Sequence, residues 1–250
     1  MKIGIAGYGF VGKAHENALK DYYDIIVSDP DKKEYGDLRH ADAIIICVST
    51  PQHTTGSCDV SNVYEVIEAS PNVPILIKST ISIEGWETLI DAFPNKQLAF
   101  SPEFLRAATA LEDFQNTKTI LLGGSNTGFW AELFVKAMGK INVDIATAKE
   151  LILAKYARNS FLALKVAYFN QMYDLCSELD VDYEQVRKYT TIDDRIGDSH
   201  TTITNDRGFG GHCFPKDTTA LATSSNRAGK PLTILQEAIN YNNRIRKDTF

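Results

Sequence analysis

Cys213 stands in the run Gly208-Phe209-Gly210-Gly211-His212-Cys213-Phe214-Pro215-Lys216-Asp217, a glycine-rich turn that leads into a helical pattern continuing through Ala220, Leu221 and Ala222. Proline fits the first turn of a helix, where its missing N–H has no intrahelical acceptor, so Pro215 marks a helix start just after the thiol. A cysteine at the positive end of a helix dipole, with Lys216 nearby, is expected to favour thiolate and to act as a nucleophile near neutral pH. Gly208, Gly210 and Gly211 let a substrate approach the backbone closely. The bland alternative is a structural cysteine beside a loop; the glycines, Pro215, Lys216 and Asp217 weigh against it.

A second constellation lies at the other end of the chain. Gly7-Tyr8-Gly9-Phe10-Val11-Gly12 follows a short apolar run at 2–6 and precedes a helical pattern through Ala14, Ala18 and Leu19. That order of strand, GxGxxG and helix suits a pyrophosphate. The first glycine makes the turn, the second admits the ligand, the third packs helix on strand, and the helix N-terminus supplies amides. Asp29 ends the next strand, 24–29, where a dinucleotide site wants a carboxylate for the ribose hydroxyls. A carboxylate there repels a 2′-phosphate and favours NAD over NADP, a preference that Lys32 and Lys33 soften unless they only solvate the turn.

Further polar residues fall at the carboxyl edges of apolar strands, where ligands of open α/β sheets gather. Thr50 follows the run 41–48 and Ser79-Thr80 follows the run 74–78. Each hydroxyl reads either as a cofactor or water contact or as a turn or cap residue. Glu103 follows the short strand 98–100 and is either a general base or a helix N-terminal acid. Lys155 and Asn159, four residues apart, share one face of a strongly apolar helical stretch, and a buried lysine there calls for an anion. An exposed polar stripe is the other reading.

The elements that must position these groups alternate strand and helix: helices at 61–70, 84–93 and 128–138, and a further strand at 119–124. This predicts an α/β, Rossmann-type doubly wound sheet over 1–146. From Thr147 the pattern changes to an all-α region, 147–250, that carries the cysteine turn. A helix without proline or glycine spans 147–179 and is apolar on nearly every side, so it must be covered all round, with the sheet domain, the later helices and a second subunit as the candidate covers. A short helix at 183–189, a polar loop at 190–207 and a helix at 233–247 complete the chain.

Composition narrows the classes of function. The 250 residues are 44% hydrophobic and 23% charged, ordinary for a globular protein, with a net charge of −6 and no basic face for nucleic acid. Cys47, Cys58, Cys176 and Cys213 lack CxxC spacing, so neither a metal site nor a disulfide framework is expected. No apolar run approaches the ~18 residues of a membrane span, and the start resembles a strand rather than a leader. A cytoplasmic protein without nucleic-acid or membrane partners is the expectation.

The Gly7–Gly12 motif, Thr50-Pro51, Lys78-Ser79-Thr80, Ser101-Pro102-Glu103-Phe104-Leu105, Lys155-Tyr156-Ala157-Arg158-Asn159 and the cysteine turn resemble, in order, the UDP-glucose/GDP-mannose 6-dehydrogenase family. The resemblance implies oxidation of a nucleotide-sugar C6 alcohol, UDP-glucose being favoured, to a carboxylate with two successive NAD+. Cys213 would form a thiohemiacetal and then a thioester, with Lys155 and Asn159 steadying the oxygen anions. Asp217 and Thr80 would hold water, Glu103 would act as base, and Lys216 would contact NAD. Glu103, Phe104, Leu105, Lys155, Asn159 and Gly210 would line the sugar. Asp194-Arg195-Ile196-Gly197 matches a segment whose arginine reaches the neighbouring subunit's substrate, which implies a homodimer centred on the long helix.

Two departures from the family pattern qualify this. Ala107 stands where relatives carry a second glutamate, and relatives continue beyond the equivalent of Phe250 into a nucleotide-binding α/β domain. The loop from Asp198 to Arg207 also differs, which leaves the sugar open. An idle NAD-binding dimer that partners a full-length enzyme, and a two-electron dehydrogenase of a smaller hydroxy acid, are the competing readings.

Overall fold

The computed structural model describes residues 1–32, 34–53, 56–211 and 213–247, with the side chains of Glu34 and Tyr35 left aside; Lys33 and His212 lie outside the described residues. The chain divides into two compact units, one formed by Met1–His53 with Cys58–Lys155 and the other by Thr54–Ser57 with Tyr156–Phe250.

The first unit is built on an eight-stranded sheet. Its strands are β1 (Lys2–Ala6), β2 (Asp24–Asp29), β3 (Glu34–Tyr35), β4 (Ala43–Ile46), β5 (Pro74–Ile77), β6 (Gln97–Phe100), β7 (Thr119–Gly124) and β8 (Asn142–Ile145), in the order β3-β2-β1-β4-β5-β6-β7-β8. β2, β1, β4, β5 and β6 run parallel, and the β-branched residues Ile44, Ile45, Ile46, Ile75 and Ile77 are wholly buried, as a sheet covered on both faces requires. Each contributes about 1.5–3 kcal/mol by leaving water. The chain leaves β1 to one side for β2 and returns on the other side as β4, so the carboxyl end of β1 is the switch point of the sheet.

The sheet is mixed at its ends rather than uniformly parallel. β3 pairs antiparallel with β2, and β7 with β6 through Ala99↔Gly124 and Phe100↔Gly123. Sequence periodicity identifies a strand without fixing its direction. It also missed β3, β8 and the short helix α4 (Ala110–Gln115), each too brief to show a period. Of the buried run expected over 41–48, Ala43–Ile46 forms the strand, and the Asp42 and Cys47 amides extend its pairing to β1 by donating to the Lys2 and Ala6 carbonyls at 2.8 and 2.7 Å.

Helices α1 (Phe10–Leu19), α2 (Ser61–Ala69), α3 (Ile83–Ala92), α4 and α5 (Thr127–Met138) belong to this unit. Leu19, Trp130, Leu133 and Phe134 pack with Ile3, Ile45, Leu76 and Leu122 in its core. Ser82, not Ser79 or Thr80, caps α3 by accepting from the Gly85 amide at 3.0 Å.

The long helix α6 (Ala148–Glu178) runs for 31 residues, roughly 46 Å. Thr147 and Glu150 form a reciprocal capping box at its start: the Thr147 amide donates to Glu150 at 2.8 Å and the Glu150 amide to the Thr147 hydroxyl at 3.3 Å. Asp180, at φ 54, ends it in the left-handed region, and the Val181 amide returns to the Cys176 carbonyl at 2.9 Å. The second unit adds α7 (Tyr183–Thr191), α8 (Phe214–Arg227) and α9 (Thr233–Ile245). Ala163, Ala167, Phe209 and Tyr241 form one of its buried clusters, and Phe169, Cys176 and Tyr183 another.

The described part of the chain does not cover α6 all round. Leu153, Phe161, Tyr168 and Leu175 stay exposed, and the last three recur every seven residues along one stripe. Among the described residues no helix is long and apolar enough to cross a membrane.

Candidate active site

The glycine turn after β1 has the shape that its sequence calls for. Gly7 sits at φ 89, and a Cβ there would meet the Cys47 carbonyl and Val48 amide at 2.7 Å. A Cβ on Gly12 would lie 2.1 Å from the Gly7 carbonyl oxygen, so only glycine lets α1 close on the turn. Gly9 is different: a Cβ there meets nothing within 4 Å. The open side of the turn is thus bordered by backbone, and no side-chain bond caps the first amides of α1, contributed by Phe10, Val11 and Gly12. Asp29 is buried and its carboxylate accepts from the Tyr8 amide at 2.6 Å and the Asp31 amide at 3.1 Å. Both oxygens keep lone pairs for a diol. The residues present therefore fit a dinucleotide: amides for the pyrophosphate and an oriented acid for the ribose. Lys32 lies exposed just beyond.

At the neighbouring strand edges, Thr50 is buried and its hydroxyl donates to the Thr80 carbonyl at 2.7 Å, while Ser79 donates to the Val48 carbonyl at 2.7 Å. These bonds tie the loops after β4 and β5 together. Thr80 is partly exposed.

Glu103 lies in irregular chain after β6, buried to 8% exposure, and not in a helical first turn; α4 fills that role with Glu112 and Asp113. One carboxylate oxygen accepts from the Leu105 amide; the other faces the Lys78 ammonium at 3.9 Å. Phe104 and Leu105 are partly buried, Leu105 against the sheet core. Ala107 opens an exposed 3-10 turn, Ala107–Thr109.

The cysteine turn belongs to the second unit. Cys213 is exposed and is the N-cap residue of α8, with Phe214 first in the helix and Pro215 second. Cys47, Cys58, Cys176 and Cys213 are not bridged by disulfides. One turn on, Asp217 is buried to 1% exposure, and each of its two oxygens has its own donor. The Asn159 amide donates to one at 2.6 Å and the Lys216 ammonium to the other at 2.8 Å. Lys216 is thus paired with its neighbour's carboxylate. Lys155, one turn before Asn159 on α6, is buried to 6% exposure, which excludes an exposed stripe.

The turn is fastened from α6, from α9 and from Arg246, the residue that ends α9; sequence reading placed Arg246 only as a basic residue at a helix C-terminus and did not single out Asn170 or Asn242. Asn242 clamps both sides of one residue's backbone, accepting from the Phe209 amide at 2.6 Å and donating to the Phe209 carbonyl at 3.0 Å. Arg246 donates to the Arg207 carbonyl at 2.8 Å, and Asn170 on α6 accepts from the Arg207 guanidinium at 2.8 Å and the Gly208 amide at 3.1 Å. A Cβ on Gly210 would strike the Arg246 guanidinium at 2.2 Å. A polar residue on the inner face of a final helix was the available signal, and it does not say what the residue grips.

Arg195 lies on a surface turn, paired with Asp193, its side chain 89% exposed. Lys165 on α6 braces that turn by donating to the Ile196 and Gly197 carbonyls at 2.6 and 3.0 Å. Arg195 borders an apolar groove of about 760 Å³ in the second unit, lined also by Phe161, Tyr168, Ile196, Ile234 and Arg244.

Residues 33–135 match the NAD binding domain of the UDP-glucose/GDP-mannose dehydrogenase family, and residues 149–244 match its central domain. The chain belongs to this family. Among curated members it is 35% identical over 201 residues to the UDP-glucose 6-dehydrogenase of Rickettsia felis, covering 74% of this chain and 44% of that protein. It is 31% identical over 228 residues to the UDP-glucose 6-dehydrogenase of Bacillus subtilis, covering 84% and 48%. The chain therefore spans about half the length of these curated relatives. A UDP-glucose dehydrogenase from Pyrobaculum islandicum has the same fold, with a TM-score of 0.84 at 24% identity over 97% of this chain and 68% of that one. A Mycobacterium tuberculosis 3-hydroxyisobutyrate dehydrogenase is similar in fold over 97% of this chain and 93% of that one, with a TM-score of 0.71 at 14% identity. Fold alone therefore does not separate a nucleotide-sugar dehydrogenase from one acting on a smaller hydroxy acid.

Proposed function

We propose that this chain carries the NAD-binding and cysteine-bearing parts of a nucleotide-sugar 6-dehydrogenase, with UDP-glucose the favoured substrate, and that it oxidises the C6 alcohol to the uronate. The observation that carries the reading is Cys213, exposed at the N-cap of α8 with Asp217 clamped one turn on. A two-electron dehydrogenase has no need of this arrangement.

The Gly7–Gly12 turn, the first amides of α1 and Asp29 would hold NAD, with Tyr8 supporting Asp29; Thr50 and Thr80 lie at the adjoining strand edges. Bound there, NAD+ supplies a hydride acceptor for each of the two oxidations. C6 gives up a hydride to the cofactor and its hydroxyl gives up a proton to water, leaving the aldehyde, to which the Cys213 thiolate adds; the carbonyl π bond becomes an alkoxide, steadied by the Lys155 ammonium and the Asn159 amide. Loss of a second hydride from the thiohemiacetal gives a thioester. Water attacks that carbon, giving up a proton to Glu103, and the carbon–sulfur bond breaks to return the thiol and release the carboxylate. Asp217 and Thr80 hold the attacking water. Phe104, Leu105 and Gly210 border the sugar, and Lys216 can leave Asp217 to contact NAD.

The exposed stripe of Phe161, Tyr168 and Leu175, and the groove beside Arg195, support a homodimer in which Arg195 of one copy reaches the other's substrate. Ala107, where relatives carry a glutamate, favours one second reading: an NAD-binding dimer that partners a longer enzyme.

Incubation with NAD+ and a panel of nucleotide sugars tests this. Two NADH per sugar consumed supports the four-electron reading, one supports a simple dehydrogenase, and none with any sugar supports the partner role.

A further inference from the structure

Lys78 is the charged group that the proposed mechanism leaves unused. It follows β5 directly, inside the first unit, and is 3% exposed. The β5–β6 register, with Ile77 opposite Phe100, sets it beside Ser101. Its ammonium donates to the Ser101 hydroxyl at 3.0 Å and the Pro102 carbonyl at 3.3 Å, and it lies 3.9 Å from Glu103 Oε2. An ammonium has three donors; two are spent on neutral oxygens and the third side faces the carboxylate.

A lysine so deep is costly unless an anion meets it. Three titratable groups bear on it. His15, on α1, is pushed down to about 3 by burial and then by Lys78 itself, so it stays neutral at working pH. The Cys47 thiol, beyond β4, is pushed up by burial and stays protonated. Burial pushes Lys78 towards neutrality, and the facing Glu103 opposes this. Glu103 is therefore the anion in this enclosure that can offset the buried cation.

We propose that Lys78 is a positioning residue for Glu103: its buried ammonium aims and electrostatically supports the carboxylate whose opposite oxygen is fixed by the Leu105 amide. Lys78 does not touch substrate. The proposal rests on the reading of Glu103 as the base of thioester hydrolysis.

The test is a double-variant cycle read by thermal unfolding of the whole chain, comparing K78M, E103Q and K78M/E103Q with the parent. K78M strands the Glu103 carboxylate and E103Q strands the Lys78 ammonium, so the double variant loses clearly less than the sum of the two single losses. Additive losses overturn the proposal, since a lysine that only fills space is not coupled to Glu103. Should K78M fail to fold, the K78M/E103Q double variant, which removes both charges, regains the folded state. A double variant as unfolded as K78M alone overturns the proposal equally. The base assignment is read separately: E103Q that still turns thioester into acid at the wild-type rate sinks that reading, whatever the cycle gives.

Discussion

In the first unit the groups that would meet the cofactor are backbone amides, left bare by the glycines around β1 and α1, and the nearby charges of Lys78 and Glu103 are hidden. In the second unit the thiol is exposed, and side chains fasten its turn: Asn242 on Phe209, Arg246 and Asn170 around Arg207, Asn159 and Lys216 on Asp217. A strand-to-helix turn needs only glycines to hold a phosphate. A thiol on a turn that leads into a helix has no sheet edge to lean on, and amide and guanidinium groups from distant positions must replace it.

The sharpest way to break this contrast is Gly12→Ala. Its Cβ would enter the Gly7 carbonyl at 2.1 Å, and backbone cannot yield as a flexible side chain does. The expected outcome is loss of roughly 3 kcal/mol or more of stability in the first unit, and of NAD+ binding by calorimetry. Asn242→Leu should come next. It leaves the Phe209 N–H and C=O buried without their partner, at about 1–3 kcal/mol for each group. Thermal unfolding should show that loss, while NAD+ affinity stays near wild type. An Asn242→Leu chain that binds NAD+ as poorly as Gly12→Ala would dissolve the distinction.

The same contrast explains what could be read in advance. The tight turn at Gly7 and Gly12 and the buried Asp29 carboxylate at the end of the next strand were legible because they recur at fixed short spacing. Cys213 and Asp217 were legible for the same reason, being one helical turn apart beside Pro215. The partners of Lys78, Asn242 and Arg246 were not, because they lie across a sheet register or more than thirty residues away. Nor could spacing reveal that β7 turns antiparallel, since direction depends on which neighbour a strand meets.

A smaller effect sharpens the comparison by pH. His15 is neutral in the folded first unit down to about 3, whereas the unfolded chain takes up a proton near its ordinary value of 6.5. Between those values the unfolded state binds more protons. Stability is thus full above pH 6.5 and falls as pH drops towards 3, by about 1.4 kcal/mol per pH unit from this group. In His15→Gln the fall over that window should be shallower in denaturant titrations that follow Trp86 and Trp130, both in the first unit.

The smallest change in folding should come from Phe161→Glu, on the exposed stripe of α6. Stability of the isolated chain should change by less than about 0.5 kcal/mol, as for a surface site, while sedimentation shifts from dimer towards monomer. An unchanged sedimentation profile would place the cover of that stripe elsewhere.

The most direct measurement is intact mass of the chain quenched during turnover with NAD+ and a nucleotide sugar. The expected result is a covalent sugar adduct on Cys213 that disappears in Cys213→Ser, together with acid formation. Acid formed at an undiminished rate by Cys213→Ser, with no adduct on the wild-type thiol, would contradict it.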